Sequence, residues 1–66
     1  MEHNDEYITL SYDNVKVTTE KAYLIIFHKE EVWIPKSQVN DFDRENKTFA
    51  IPEWLMYDKG LESYIA

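Results

Sequence analysis

The sequence predicts a mainly β domain: a small, strongly bent antiparallel sheet or SH3-like barrel of about five strands with one short C-terminal helix. Three observations carry that expectation. Apolar and polar residues alternate along Tyr7–Tyr12 and again along Val15–Thr18, the two-residue period of a strand with one buried face. The run Ala22-Tyr23-Leu24-Ile25-Ile26-Phe27 carries no charge, and its β-branched and aromatic residues favour a strand over a helix. Late in the chain, Pro52-Glu53-Trp54-Leu55-Met56-Tyr57-Asp58-Lys59 reads as a helix of about two turns, stopped by Gly60.

Taken in order, residues 1–6 are polar and acidic with nothing to bury, and are expected to fray, which leaves 7–66 as a single domain. The first strand places Ile8, Leu10 and Tyr12 on one side and Tyr7, Thr9 and Ser11 on the other. Asp13-Asn14 reads as a two-residue turn, since Asn tolerates positive φ. Closing a hairpin there sets Tyr12 opposite Val15 and Leu10 opposite Val17, so the two apolar faces coincide. Where alternation gives way to the unbroken apolar run, a bend or bulge is expected near Thr19–Lys21, and the run itself calls for burial on both faces or a strand bent between layers.

His28-Lys29-Glu30-Glu31 makes a tight polar turn into the strand Val32-Trp33-Ile34. Pro35 cannot donate to a ladder, so that strand stops there or lies at a sheet edge. Lys36-Ser37-Gln38 forms a single turn, Val39–Phe42 is a short and weakly patterned strand, and Asp43–Lys47 is a charged turn. Thr48–Ile51 returns as a strand with Phe49 and Ile51 on one face. In the helix, Pro52 suits the first position, Glu53 complements the positive dipole end, and Lys59 followed by Gly60 suits the other end. Leu61–Ala66 is a short tail, with Leu61 folding back over the helix.

A chain of 66 residues makes one domain. A domain this small buries only ~60% of the surface its unfolded chain exposes. It has no cysteine, so neither a disulfide nor a thiolate zinc site can staple it, and aromatic burial or a partner subunit must compensate. Two Trp, five Tyr and three Phe are available for that, each able to bury ~150–250 Å². The expected core is Leu10, Val17, Leu24, Ile26, Trp33, Phe49, Ile51, Trp54 and Leu55, with the two indoles as its largest pieces.

Thirteen acidic against seven basic residues give a net charge of −6, a strongly negative field for this size. Affinity for nucleic acid comes mainly from Lys and Arg neutralising phosphates, so bare phosphate backbones fit this chain poorly and basic protein surfaces fit it well. The N-terminus has no apolar h-region, and no apolar run approaches the ~20 residues of a membrane span, so the cytoplasm is the expected compartment. Asp41-Phe42-Asp43-Arg44-Glu45 has alternating carboxylates like the start of a calcium loop, but the pattern puts Asn46 where the loop needs Gly and Pro52 where it needs the bidentate Glu. His3 and His28 have no ligand at a pairing distance in sequence. Ser11, Ser37 and Ser63 lack a nucleophile's context, and one Gly cannot build a phosphate loop. No catalytic residue, metal or cofactor is expected.

Val17-Thr18-Thr19-Glu20-Lys21-Ala22, Glu31-Val32-Trp33-Ile34-Pro35-Lys36-Ser37-Gln38-Val39, Ile51-Pro52-Glu53-Trp54-Leu55 and Lys59-Gly60-Leu61 together resemble a group of small phage and mobile-element proteins, over roughly residues 15–61. The turn at Lys29-Glu30 departs from that group, where a Gly is expected. The resemblance implies a setting and not a mechanism: small acidic phage proteins often inhibit or modulate host machinery.

The functional expectation is therefore a non-enzymatic, acidic interaction protein that binds a basic surface of a host protein, such as a nucleic-acid-handling defence factor, in the host cytoplasm. Glu30, Glu31, Asp41, Asp43 and Glu45 would steer the encounter. Lys36, Ser37 and Gln38 would offer a polar recognition loop, or Ser37 would merely cap its turn. Two other readings stand beside this one. A small-barrel binder of single-stranded nucleic acid would stack bases on Trp33, Tyr23 or Trp54, and needs Lys16, Lys21 and Lys36 on one face free of acids. A homo-oligomeric structural accessory, a homodimer for example, would pair its long apolar run across a two-fold axis.

Overall fold

The computed structural model describes residues 6–66, so the acidic stretch expected to fray lies outside the described residues except for Glu6. Six strands form: β1 (Tyr7–Ser11), β2 (Asn14–Thr18), β3 (Ala22–Phe27), β4 (Glu30–Pro35), β5 (Asn40–Asp43) and β6 (Thr48–Pro52). A helix, α1 (Glu53–Lys59), follows, and single 3₁₀ turns lie at Lys36–Gln38 and Glu62–Tyr64. The strands make two antiparallel three-stranded sheets, ordered β1-β6-β5 and β2-β3-β4. The fold is mainly β with one late helix, as the sequence predicts, but it has six strands in two sheets in place of about five in one bent sheet.

The largest departure is at Asp13-Asn14, which is not a hairpin. β1 pairs with β6, with Leu10 opposite Phe49, while β2 pairs with β3. The backbone shows the crossing within two residues: the Tyr12 N–H donates to the Lys47 carbonyl (3.0 Å) and the Asp13 N–H to the Ile26 carbonyl (2.8 Å). The reason lies in β6, whose residues Phe49, Ala50, Ile51 and Pro52 are all buried. A strand buried on both faces needs a neighbour along each edge, and β1 supplies one that β5 alone cannot.

The expected bulge is also displaced. Thr19–Lys21 is a tight turn in which the Thr19 hydroxyl accepts the Ala22 N–H (3.0 Å), a side-chain substitute for a backbone turn. The register slips instead between Val15 and Val17, so Lys16 is the extra residue. A second slip lies between Asn40 and Asp43, where Asp41 sits at φ 53°. β4 is an edge strand ending at Pro35, as the missing N–H requires. The tail is more than a tail: Leu61 is buried, its N–H donates to the Met56 carbonyl (3.0 Å), and Ile65 bridges Leu10 along the free edge of β1.

The core consists of Leu10, Tyr12, Ile25, Phe27, Ile34, Phe49, Ile51, Leu55, Met56 and Leu61. Leu10, Phe49, Ile51 and Leu55 stand where the sequence predicts. Val17, Leu24, Ile26, Trp33 and Trp54 do not. Trp33 is 46% exposed, Trp54 52% and Val17 38%, while Leu24 and Ile26 are half-buried. Register is the cause. Ile25 pairs with Val32 and Tyr23 with Ile34 on the inner face, which turns Leu24 and its partner Trp33 to the outside along with Ile26 and Glu31. On α1, Leu55 and Met56 take the inner face and Trp54 the outer.

Aromatic rings join the two sheets. Phe49 lies 5.6 Å from Tyr12, 5.9 Å from Phe27 and 6.0 Å from Phe42, between ring centroids. Tyr23 reaches Phe42 at 4.7 Å, and Tyr64 stacks on Phe27 at 4.9 Å. Such pairs contribute about 0.5–1.5 kcal/mol each beyond their buried area.

Truncating Phe49 to Ala removes three of these contacts and is expected to cost about 3–5 kcal/mol, most of the stability of so small a domain. Trp54→Ala should stay within about 1 kcal/mol, because an exposed side chain leaves no cavity. Gly60 closes α1 at φ 69° with open space around its missing Cβ, so Gly60→Ala should cost about 1 kcal/mol from the left-handed backbone alone. Urea titrations followed by far-ultraviolet circular dichroism give all three. Acrylamide should quench both tryptophans in the native protein, which two core indoles would not allow.

Candidate functional site

The crossing at Tyr12-Asp13 fixes the surface geometry, because it ties two turns to one end of the molecule. Lys47, from the β5–β6 turn, accepts the Tyr12 N–H, and Asp13 Oδ2 accepts the His28 N–H of the β3–β4 turn (2.9 Å). Glu30, Asp43 and Glu45 thereby come to the same end. The Lys36–Gln38 turn lies at the other end of the β2-β3-β4 sheet, where the Lys36 N–H donates to the Lys21 carbonyl (2.8 Å). The eight contact residues expected from sequence therefore do not form one surface.

Several of them have structural work. Asp43 is the acceptor that builds its own turn: Oδ1 takes the N–H groups of Glu45 and Asn46 at 3.0 Å each, and Oδ2 takes the Asn46 side-chain amide at 2.9 Å. The Asn46 backbone bond, then the Asn46 amide and the Glu45 N–H, hold its carboxyl below the ordinary carboxylate value. Lys36 lies over the Tyr23 ring, 5.1 Å from Nζ to centroid. Ser37 is exposed and does not cap its turn, which is closed by the Val39 N–H on the Lys36 carbonyl (3.1 Å) with no side-chain cap. Gln38 is half-buried beside it, while Asp41 and Glu45 are exposed.

Two features were not legible as sites. The first is the outer face of the β2-β3-β4 sheet. Val17, Leu24 and Trp33 are successive cross-strand partners and form an apolar row over three strands, with Ile26 beside Leu24 and the Ala22–Pro35 pair at one end. Glu31 shares this face and accepts an ion-pair bond from Lys16 Nζ at 2.9 Å, both side chains being about half exposed. Lys16 is the bulged residue, so the slip in β2 is what places it there.

The second is a cleft of about 310 Å³ at the turn end, where Tyr12 and Asp13, Phe27 and His28, and Ser63 and Tyr64 converge from three distant parts of the chain. The Tyr64 hydroxyl donates to Glu30 Oε2 at 3.0 Å. Its phenol is pushed above the ordinary tyrosine value, first by burial, then by that bond and by the negative charges of Glu30 and Asp13. Among the described residues, Lys16–Glu31 is the one ion pair, no three His, Cys, Asp or Glu side chains gather as for a metal, and no helix is long and apolar enough to cross a membrane.

Asp43 gives a pH signature. Its folded-state pKa is depressed, so the turn contributes stability above the unfolded value, near 3.8, and loses it as pH falls through the lower folded value. Asp43→Ala should unfold at lower urea than the parent at neutral pH, and the gap between the two midpoints should close on acidification through that window. A gap that widens toward acid would contradict the assignment.

Comparison with protein-family models, with curated proteins and with solved structures finds no match for this chain.

Proposed function

We propose that this chain is a small, acidic, non-enzymatic interaction protein that docks a protein partner with a basic surface through the outer face of the β2-β3-β4 sheet, and so modulates or inhibits that partner. The single observation that carries the reading is the Val17–Leu24–Trp33 row, with Val17 and Trp33 exposed and Leu24 half-buried between them. A contiguous apolar patch on a sheet face marks an interaction site in a soluble domain. Tryptophan is also among the residues most often dominant in binding energy when it enters a partner's pocket. The net charge of −6 selects among partners by attraction at a distance. The phage and mobile-element setting implied by the Trp-Ile-Pro-Lys-Ser-Gln stretch makes a host protein the natural target, and SH3-like topology, with a three-stranded meander followed by a 3₁₀ turn, the natural frame.

The nucleic-acid alternative loses support from the same face. Of the three lysines it needs, Lys16 is paired with Glu31 beside Trp33 and Lys36 lies over Tyr23. Stacking on Trp33 would bring phosphates past a carboxylate.

A photo-reactive residue at position 33, and the same residue at position 54 as a control on another face, test the proposal in the producing cells. Position 33 should capture a discrete protein of basic surface. That capture should disappear with Leu24→Asp and fall as salt is raised, while position 54 captures none of it. Recovery of nucleic acid at position 33 would overturn the reading, as would recovery of only a second copy of the chain with a concentration-dependent mass in sedimentation. Equal capture at both positions would overturn it too.

A further inference from the structure

Each three-stranded sheet has two outer strands, and an outer strand shows a row of N–H and C=O groups with which another chain can pair. Three of these four edges are covered or broken. The C-terminal segment lies along β1, through the Leu10–Ile65 bridge and the Ala66 N–H on the Thr9 carbonyl (2.9 Å). β2 slips register at Lys16, and β5 slips between Asn40 and Asp43 with Asp41 at φ 53°. Such irregularities twist an edge away from further pairing. β4 is regular, matched to β3 residue by residue from Glu30 to Pro35.

The phase of that ladder follows from its end. In an antiparallel pair, residues bonded to the neighbouring strand alternate with residues whose N–H and C=O point away from it. The Lys36 N–H donates to the Lys21 carbonyl (2.8 Å), one step beyond the Ala22–Pro35 pair. Ile34, Val32 and Glu30 therefore bond to β3, while Pro35, Trp33 and Glu31 turn their backbone groups outward. Pro35 has no N–H to offer, so the edge presents the N–H groups of Trp33 and Glu31 and the carbonyls of all three. Neither N–H has a backbone partner among the described residues.

What stands beside this edge decides what can join it. Residues opposite one another in a ladder share a face, so a residue opposite Trp33 extends the Val17–Leu24–Trp33 row onto a fourth strand. A residue opposite Glu31 lies beside a carboxylate. Lys16 Nζ donates to Glu31 Oε2 (2.9 Å), and Oε1 has no partner among the described residues, so a Lys or Arg there makes a cross-strand ion pair. A second copy fits poorly, because each copy carries a net charge of −6. Antiparallel pairing is the more stable arrangement per residue.

We infer that the open edge of β4 takes an extended segment of the protein partner as a fourth, antiparallel strand, with an apolar residue opposite Trp33 and, two residues further along the partner, a Lys or Arg opposite Glu31. This rests on the sheet-face reading and deepens it by naming what the partner presents. Main-chain bonds supply affinity, and alternate side chains supply the choice of sequence.

The test uses the ¹⁵N-labelled 66-residue protein and the peptide Ac-Ser-Thr-Val-Thr-Lys-Ser-NH₂, whose valine is set opposite Trp33 and whose lysine is set opposite Glu31. In the free protein the Trp33 and Glu31 amides should exchange with deuterium fast, and those of Val32 and Ile34 slowly. The peptide should shift the Trp33 and Glu31 amides and slow their exchange, with a millimolar Kd. N-methylating its valine and lysine removes the two donors aimed at β4 and should weaken binding at least about tenfold. N-methylating both threonines, whose N–H groups point away, should change Kd less than about threefold. A glutamate in place of the peptide's lysine should bind at least about fivefold more weakly, and Glu31→Gln should narrow that difference. Leu24→Asp disrupts the apolar row and leaves the edge in place, so it should abolish capture at position 33 yet weaken the peptide less than about threefold, and the two readings fail separately. Equal weakening by the two methylation patterns would overturn the inference even if position 33 still captures a protein. Slow exchange of the Trp33 and Glu31 amides in the free protein would overturn it as well, whether constant or rising with protein concentration as a second copy pairs.

Discussion

The rest of the structure depends on the packing of Phe49 between the two sheets. Each sheet has three strands, near the lower limit for independent stability, and each must bury one face against something else. Phe49 stands on the central strand of one sheet and meets Phe27 from the middle strand of the other, with Phe42 and Tyr12 against its remaining sides. These neighbours come from β5, β3 and the crossing segment, so one ring fixes the relative position of three parts of the chain. Through Phe27 the same contact reaches Tyr64, and the last residues of the chain are ordered by it. With no cysteine to form a disulfide, the aromatic chain is what converts two marginal sheets into one domain.

The crossing between sheets at Tyr12-Asp13 follows from the demands of β6, and it has two consequences of opposite kind. It gathers the β3–β4 and β5–β6 turns at one end and leaves a cleft between the crossing segment, the β3–β4 turn and the C-terminal segment. It also assigns β1 to the sheet that α1 and the tail already cover, through Leu55, Met56 and Leu61. The β2-β3-β4 sheet then has its inner face in the core and nothing on its outer face. Among the described residues no element lies over that face, so the apolar row Val17–Leu24–Trp33 is open there because of how these elements are distributed.

Strand positions were legible in the sequence because alternation and turn residues are local. The turn expected at His28–Glu31, which the structure tightens to His28-Lys29 with Glu30 and Glu31 already in β4, the Asp43–Lys47 turn, the edge position of β4 and the Gly60 stop all rest on single-residue chemistry. Pairing was not legible, because β1 and β2 look like a good hairpin to any local reading, and what overrules it is the need of a strand almost forty residues downstream. The face of β4 was ambiguous for another reason. Val32, Trp33 and Ile34 are all apolar, and choosing which parity faces inward inverts the assignment of every residue. A signal was present, however: Glu31 and Pro35 share the parity of Trp33, and a charge on that side argues for solvent. Residue size favours both indoles inside, and neighbour polarity is the signal that outweighs it. The cleft had no sequence signature at all, since its residues come from segments that meet only after the sheets pack.

Charge adds a step that composition alone conceals. Of the seven basic residues, three are engaged within the domain: Lys16 on Glu31, Lys36 over Tyr23 and Arg44 over Phe42 at 5.5 Å. The latter two place their charge over the ring faces of an inter-sheet pair, so they stiffen the ends of the aromatic chain. Apart from Glu31, the acids of the described residues are not in ion pairs; Asp43 is held by N–H groups and keeps its full negative charge. The excess of acid at the surface is thus free to act at a distance, over about a Debye length of 8–10 Å. In the proposed docking, contact area would come from the apolar row and steering from these acids, an arrangement that would let a small domain approach a basic partner quickly without burying unpaired carboxylates in the interface.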